Sequence, residues 1–210
     1  FETLAEQLAE RLAAKGHEVT VYCRGRYAAA NAAAAPGVRR IVLPALYTKH
    51  LETLSHTFLS VLHQCLRPGG SVLLMNNANA LFIPMLRLFG KKVFVHVDGL
   101  EWQREKWGPA ARAWHRFSEK AAVRFAHGLV SDSEVIQRYY ERTRGRRPSY
   151  IAYGALREPA PNPKGLEKFG LKAGEYFLFV GRLEPENHPA EIAMAYAQIP
   201  AAQSPFPLVM

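Results

Sequence analysis

KVFVHVDGLEWQREKWGPAARAWHRFSEKAAVRFAHGLVSDS, residues Lys92–Ser133, runs from an apolar segment through a polar loop and a long helical stretch to a second apolar segment. Lys92–Val97 predicts a strand, Pro109–Ala126 a helix and Gly128–Val130 another strand. A strand that returns through a helix to a second strand pairs with it in parallel, because a tight turn can join only antiparallel strands. The parallel sheet is therefore the element to look for on both sides.

Upstream, Phe1–Lys15 carries Leu4, Leu8 and Leu12 on one helical face and is closed by Gly16. Val19–Cys23 and Arg40–Leu43 predict strands, Leu51–Leu66 a helix, Ser71–Met75 a strand and Ala80–Phe89 a helix. Downstream, Ser133–Tyr140 predicts a helix with Asp132 or Ser133 as its N-cap, and Tyr150–Ala152 a short strand. Strands alternating with helices predict an α/β fold with a parallel sheet covered on both faces. Gly154–Gly165 (GALREPAPNPKG) then changes composition, with three prolines and two glycines, and reads as a linker. Beyond it come a helical turn at Leu166–Phe169, a strand at Tyr176–Val180, a helix at Glu191–Ile199 and the start of a strand at Phe206–Met210. The division expected is 1–153, linker 154–165, and 166–210 as the beginning of a second Rossmann-like unit.

Hydrophobic residues at 49% and charged residues at 21% describe a globular chain of 210 residues, not a disordered one. Neither a spanning apolar run nor a signal peptide is visible. Lys and Arg number 27 against 18 Asp and Glu, and the resulting +9 favours anionic partners. Cys23 and Cys65 sit in apolar segments and read as buried free thiols.

Ligands of open parallel sheets bind beyond the carboxyl ends of the strands. Val95–Trp107 (VHVDGLEWQREKW) leaves such an end with a histidine, three acids and two tryptophans. Asp98 directly follows the strand and His96 precedes it by two residues; Glu101, Trp102 and Trp107 fill the loop. Trp102 and Trp107 either stack on a sugar face or staple the loop. Gly181-Arg182 follows the Tyr176–Val180 strand, and a guanidinium fork there suits phosphate oxygens. The helix that follows, starting near Asn187–Glu191, is expected to aim its amides at the same anion. Arg112, Arg116, Lys120 and Arg124 recur every four residues and predict a basic helix face, with Trp114, Phe117, Ala121 and Phe125 roughly opposite. The remaining histidines show no metal-ligand spacing.

Four stretches in this order, FETLAEQLAERLAAKGHEVTVYCR, HVDGLEWQREKWG, SDSEVIQRYY with IAYGA, and FVGRLEPENHP, resemble the two-lobed retaining glycosyltransferases of family 4. They are most similar to the subgroup with rhamnosyltransferases of cell-surface polysaccharides. The resemblance implies a GT-B architecture, two Rossmann-like lobes with the acceptor held mainly by the N-terminal one and the nucleotide-sugar donor by the C-terminal one. It implies a cytoplasmic enzyme, peripheral at the inner membrane face, that transfers a hexose or deoxyhexose to a saccharide or lipid-linked acceptor. No metal or cofactor is implied, and front-face attack lets the leaving phosphate help take the acceptor proton.

Residue by residue, Arg182 matches the arginine that contacts the donor diphosphate, and Asn187 stands where many members have a lysine, with His188 adjacent. Asp98 takes the place of a histidine that lies near the reacting sugar, with His96 two residues earlier; either could reach the acceptor. Trp102 and Glu101 fall on the acceptor side, and Arg112, Arg116, Lys120 and Arg124 would meet anionic lipid. The resemblance further implies a first strand and glycine-rich turn ahead of Phe1, and an acidic donor-gripping motif past Met210. This stretch alone would then not complete catalysis. Two other classes stay open: a non-catalytic Rossmann-like binding module, and a nucleotide-sugar epimerase or dehydrogenase. A nucleic-acid partner is not expected, since no recognition motif is present.

Overall fold

The computed structural model describes residues 2–26, 34–48, 51–97, 99–154, 164–200 and 206–210. Two compact units divide the chain, Phe1–Tyr153 and Gly154–Met210. Most of the expected 154–165 linker lies outside the described residues.

In the first unit, α1 (Glu2–Ala14) ends at Gly16, whose φ of +85° an L side chain rarely adopts. Strand β1 (Val19–Arg24) pairs in parallel with β2 (Val38–Leu43), starting at Val19 opposite Val38. Helix α2 (Glu52–Cys65) leads to β3 (Ser71–Met75). It also fastens β1, since the Tyr22 hydroxyl donates to Gln64 Oε1 at 3.0 Å and lies 3.0 Å from His63 Nδ1. Cys65 is buried and Cys23 only half-buried, both free thiols.

The single helix expected over Ala80–Phe89 is two elements. A 3₁₀ stretch covers Asn77–Phe82 and α3 covers Ile83–Leu88. Pro84 has no N–H to give the Ala80 carbonyl, so the α-helical ladder starts only there. Strand β4 (Lys92–His96), helix α4 (Pro109–Phe125) and strand β5 (Gly128–Ser131) complete the crossover read from the sequence. Helix α5 (Glu134–Arg144) runs beyond the expected Tyr140, because good helix formers continue to Gly145, which turns the chain at φ +64°. Strand β6 (Ser149–Tyr150) closes the unit.

Strands β3, β4, β5 and β6 form one parallel sheet in that order. Met75 lies opposite His96 and His96 opposite Val130, so three strand ends are level. Right-handed crossovers in that direction place α3, α4 and α5 on one face. The core lies beneath them: Ile83, Leu86, Val93, Val95, Val97, Ala122 and Tyr140 are fully buried. The other face carries Phe94, which lies directly over Gly128 in the next strand. Lys91, also buried, donates through Nζ to the Arg67 and Gly69 carbonyls and so closes the loop between α2 and β3.

The second unit contains α6 (Lys164–Glu167), a parallel pair of β7 (Phe177–Leu178) and β8 (Leu208–Val209), and α7 (Pro189–Ala197). The strand expected over Tyr176–Val180 is narrower. Its partner segment supplies backbone oxygens only from Pro207 to Val209, which take Phe177 N and Phe179 N at 2.9 Å each.

A Cβ at Gly128 would stand 2.7 Å from the Phe94 ring. Gly128→Ala should therefore lower unfolding free energy by about 1–3 kcal/mol, as overpacking does. Phe94→Leu in that background should recover part of the loss in urea titrations, and no recovery would refute the close approach as the cause.

Candidate functional site

The carboxyl edge of β3–β6 gathers the polar residues of the first unit. Beyond the level row of Met75, His96 and Val130, Val97 N donates to Val130 O at 2.8 Å and Ile151 N to Ser131 O at 2.8 Å. Asn76–Asn79, the loop after β4, Ser131–Ser133 and Ile151–Tyr153 are therefore neighbours along one edge.

His96 is 3% exposed and its ring stacks on Tyr153, with centroids 5.7 Å apart and planes 14° off parallel. Burial holds its pKa below the ordinary histidine value, against the pull of the Asp132 carboxylate. A neutral imidazole therefore sits at this edge at pH 7. Asp98 lies outside the described residues. On β5, Ser131 Oγ donates to Ser133 O at 2.7 Å, and Ser133 caps α5 by accepting from Val135 N. Asp132 Oδ1 is buried without a hydrogen-bond partner among the described residues.

Asn76–Asn79 was not singled out in the sequence, although three amides within four residues directly after a strand are a visible signal. Asn76 adopts φ +74° and accepts from Ala78 N at 2.8 Å. Asn79 Nδ2 donates to Met75 O at 3.2 Å, and Asn77 Nδ2 to the Tyr140 hydroxyl at 3.4 Å. Both amides are buried.

The loop after β4 is tied from within. Glu101, buried in a 3₁₀ turn at Glu101–Gln103, accepts from Arg104 Nη1 at 3.0 Å and from Trp107 Nε1 at 2.9 Å. Trp107 in turn lies 5.1 Å from the buried His115 ring. Burial alone would raise the Glu101 pKa, but the Trp107 and Arg104 hydrogen bonds outweigh it and hold the carboxyl below its ordinary 4.5. Trp102 Nε1 donates to Glu119 Oε2 at 3.0 Å, and the Arg116 guanidinium covers its ring at 4.7 Å. The two tryptophans thus serve as staples, the reading left open in the sequence, and Glu101 is the anchor of one of them.

The basic helix needs a correction. The buried stripe of α4 is His115, Ser118, Glu119, Ala121 and Ala122, so of the four residues set opposite the cations only Ala121 is buried. Phe117 is 55% exposed and Phe125 37%, on the solvent side with Lys120 and Arg124. Arg112 is half-buried, and Arg116 is drawn onto Trp102. Helical spacing placed the cations correctly, but the inward side is held by polar contacts that hydrophobicity does not report.

In the second unit, Arg182 is exposed, and its guanidinium makes no ion pair or hydrogen bond with the described residues. Its backbone carbonyl is held, accepting from Glu184 N at 2.8 Å and Asn187 Nδ2 at 2.7 Å. Asn187 therefore fixes the loop that presents Arg182. His188 adopts φ +53° at the start of α7, and Pro189 at the first helical position has no N–H to offer. The Glu191 carboxyl is kept below its ordinary pKa by its own backbone N–H and by His188. That arrangement already places a negative group at the helix start, where the sequence suggested an anion.

Among the described residues no three His, Cys, Asp or Glu side chains gather as a metal site. No helix among them is long and apolar enough to cross a membrane.

Residues 73–156, the sheet edge and its loops, match a family described as a domain of unknown function, DUF1972. No curated protein matches the chain. Among solved structures, the chain is similar to Arabidopsis thaliana UGT89C1 complexed with quercetin, at 15% identity and a TM-score of 0.55. The similarity covers 92% of this chain and 59% of that one, so the chain spans less than two thirds of the neighbour's length. That neighbour is a GT-B glycosyltransferase, and the fold class is shared: α/β with parallel sheets.

A carboxylate with a depressed folded pKa stabilises the protein above its unfolded pKa and stops doing so as pH falls through the folded value. Wild type should therefore lose its advantage over Glu101→Gln as pH drops below about 4.5. Urea titrations at pH 7 and at steps down to pH 3 measure this, and a pH-independent difference would remove the charge from the account.

Proposed function

We propose that the chain is the acceptor-side lobe, with the start of the donor-side lobe, of a retaining glycosyltransferase. It moves a hexose or a rhamnose-like deoxyhexose from a nucleoside diphosphate to a saccharide or lipid-linked saccharide in cell-surface polysaccharide synthesis. The observation that carries the reading is the exposed Arg182 guanidinium, without a described partner, on a loop fixed by Asn187. A cation presented by a preorganised backbone is what a departing diphosphate requires. The polar edge of β3–β6 supports the acceptor side, because neutral His96 can accept a hydroxyl proton in a hydrogen bond and Asp98 follows it in the chain.

In this reading Arg182 takes up charge on the leaving diphosphate, Asn187 holds its loop, and His96 or Asp98 orients the acceptor. Trp102 shapes the acceptor side, with Glu101 keeping the loop in place. The leaving phosphate accepts the acceptor proton, so no side-chain nucleophile is needed and no cofactor enters. The enzyme works at the cytoplasmic face of the membrane, and Lys120 and Arg124, beside the exposed Phe117, are its contact with anionic lipid.

A nucleoside diphosphate at about a hundred times its Kd should raise unfolding free energy by about 2.7 kcal/mol. Arg182→Ala should abolish most of that gain and, in the intact two-lobed enzyme, slow turnover by about 10²–10³. Stabilisation by a dinucleotide or short nucleic acid instead would favour the epimerase or binding-module classes. For the lipid contact, Lys120→Glu with Arg124→Glu should abolish sedimentation with phosphatidylglycerol vesicles, and wild-type protein left in the supernatant would remove it.

A further inference from the structure

We infer that Glu119 is a positioning residue: its second carboxylate oxygen, reaching out of α4, sets the loop after β4 for the acceptor. The inference rests on the transferase reading above and deepens its acceptor side.

Glu119 is 0% exposed, and a buried carboxylate persists only where several donors meet it. Its two oxygens do different work. Oε1 accepts from Arg144 Nε at 2.6 Å and from the Tyr139 hydroxyl at 2.9 Å, and both donors belong to α5. At that oxygen the Arg144 guanidinium neutralises the charge and joins α4 to α5. Oε2 accepts from Trp102 Nε1 at 3.0 Å, a donor outside the helices. With Arg116 stacked on the Trp102 ring at 4.7 Å, the indole is gripped at its edge and on one face by a single helix. Residue 118 does the same for the neighbouring loop, since Ser118 Oγ donates to Ala78 O at 3.4 Å. Both edge loops therefore take their position from adjacent residues of α4. The fold requires the Oε1 contacts; the Oε2 contact reaches only the candidate site.

The full chain, labelled with 15N, gives three indole N–H signals, and Trp102→Phe assigns the one that matters. Glu119→Gln offers one oxygen to three donors, so the Trp102 indole proton should exchange with deuterium about tenfold faster, while that of Trp114 is unchanged. In the intact two-lobed enzyme that contains this chain, given the nucleotide sugar that stabilises it most, transfer to acceptor should fall about tenfold, while donor hydrolysis by water keeps its rate. Trp102→Phe leaves the Oε1 contacts intact, and should reproduce that split at a melting temperature close to wild type. It decides the matter if Glu119→Gln does not fold.

An unmoved Trp102 signal in Glu119→Gln overturns the inference. So does a shifted signal with transfer and hydrolysis in their wild-type ratio, or equal losses in both reactions. Should the intact two-lobed enzyme that contains this chain release no diphosphate from any nucleotide sugar, the transferase reading fails on its own, and the inferred acceptor role falls with it. The indole result then reports only the contact between Glu119 and Trp102.

Discussion

One buried carboxylate organises the first unit. Glu119 must be matched by donors from everything packed around it, and those donors are Arg144, Tyr139 and Trp102. Removing Arg144, the cation among them, would strand charge in a dry interior, which is far more costly than losing an ordinary hydrogen bond. Helix α5 is thus bound to α4 through one oxygen, and the loop after β4 is hung on the same carboxylate through the other. Tyr140, fully buried beside Tyr139, extends the arrangement to Asn77 at the end of β3. Burial and the Glu119 charge hold its phenol well above the usual tyrosine pKa, so it stays a neutral hydroxyl.

Much of the architecture was legible because it is written in periodicity. Val93, Val95 and Val97 with Ile83, Leu86 and Ala122 are apolar residues at strand and helix spacing, and they form the core. What escaped were places where polar chemistry replaces that pattern. In α4 the inward positions include His115, Ser118 and Glu119, while Phe117 faces solvent. A hydrophobicity pattern turns such a helix the wrong way. Between β3 and α3, the asparagines form a 3₁₀ stretch bonded to strand and helix neighbours, and Pro84 delays the α-helical ladder of the expected helix.

Candidate site residues divide along the same line. The place of His96 at the end of β4 could be read, because strand periodicity sets it; Arg182, expected directly after a strand, lies beyond the shorter β7. The particular duties of Glu101 and Trp102 could not, since their partners Trp107, Arg104 and Glu119 are chosen by three-dimensional packing. Asn187 shows the same principle on a smaller scale. Its side chain closes onto the Arg182 carbonyl, a contact that a lysine, which only donates through a long flexible stem, would make differently.

Pinning two loops to one turn of α4 has a consequence for how this edge can vary. Between its anchors at Glu101, Trp102 and Trp107, the second loop carries Gln103, Glu105 and Lys106 in the open. Gln103 and Glu105 can change without disturbing the helix layer, whereas the Lys106 ammonium lies 4.9 Å from the centre of the Trp107 ring and helps hold that anchor. In the proposed transferase, selectivity would reside at this tip, while the frame that aims it stays fixed to α4.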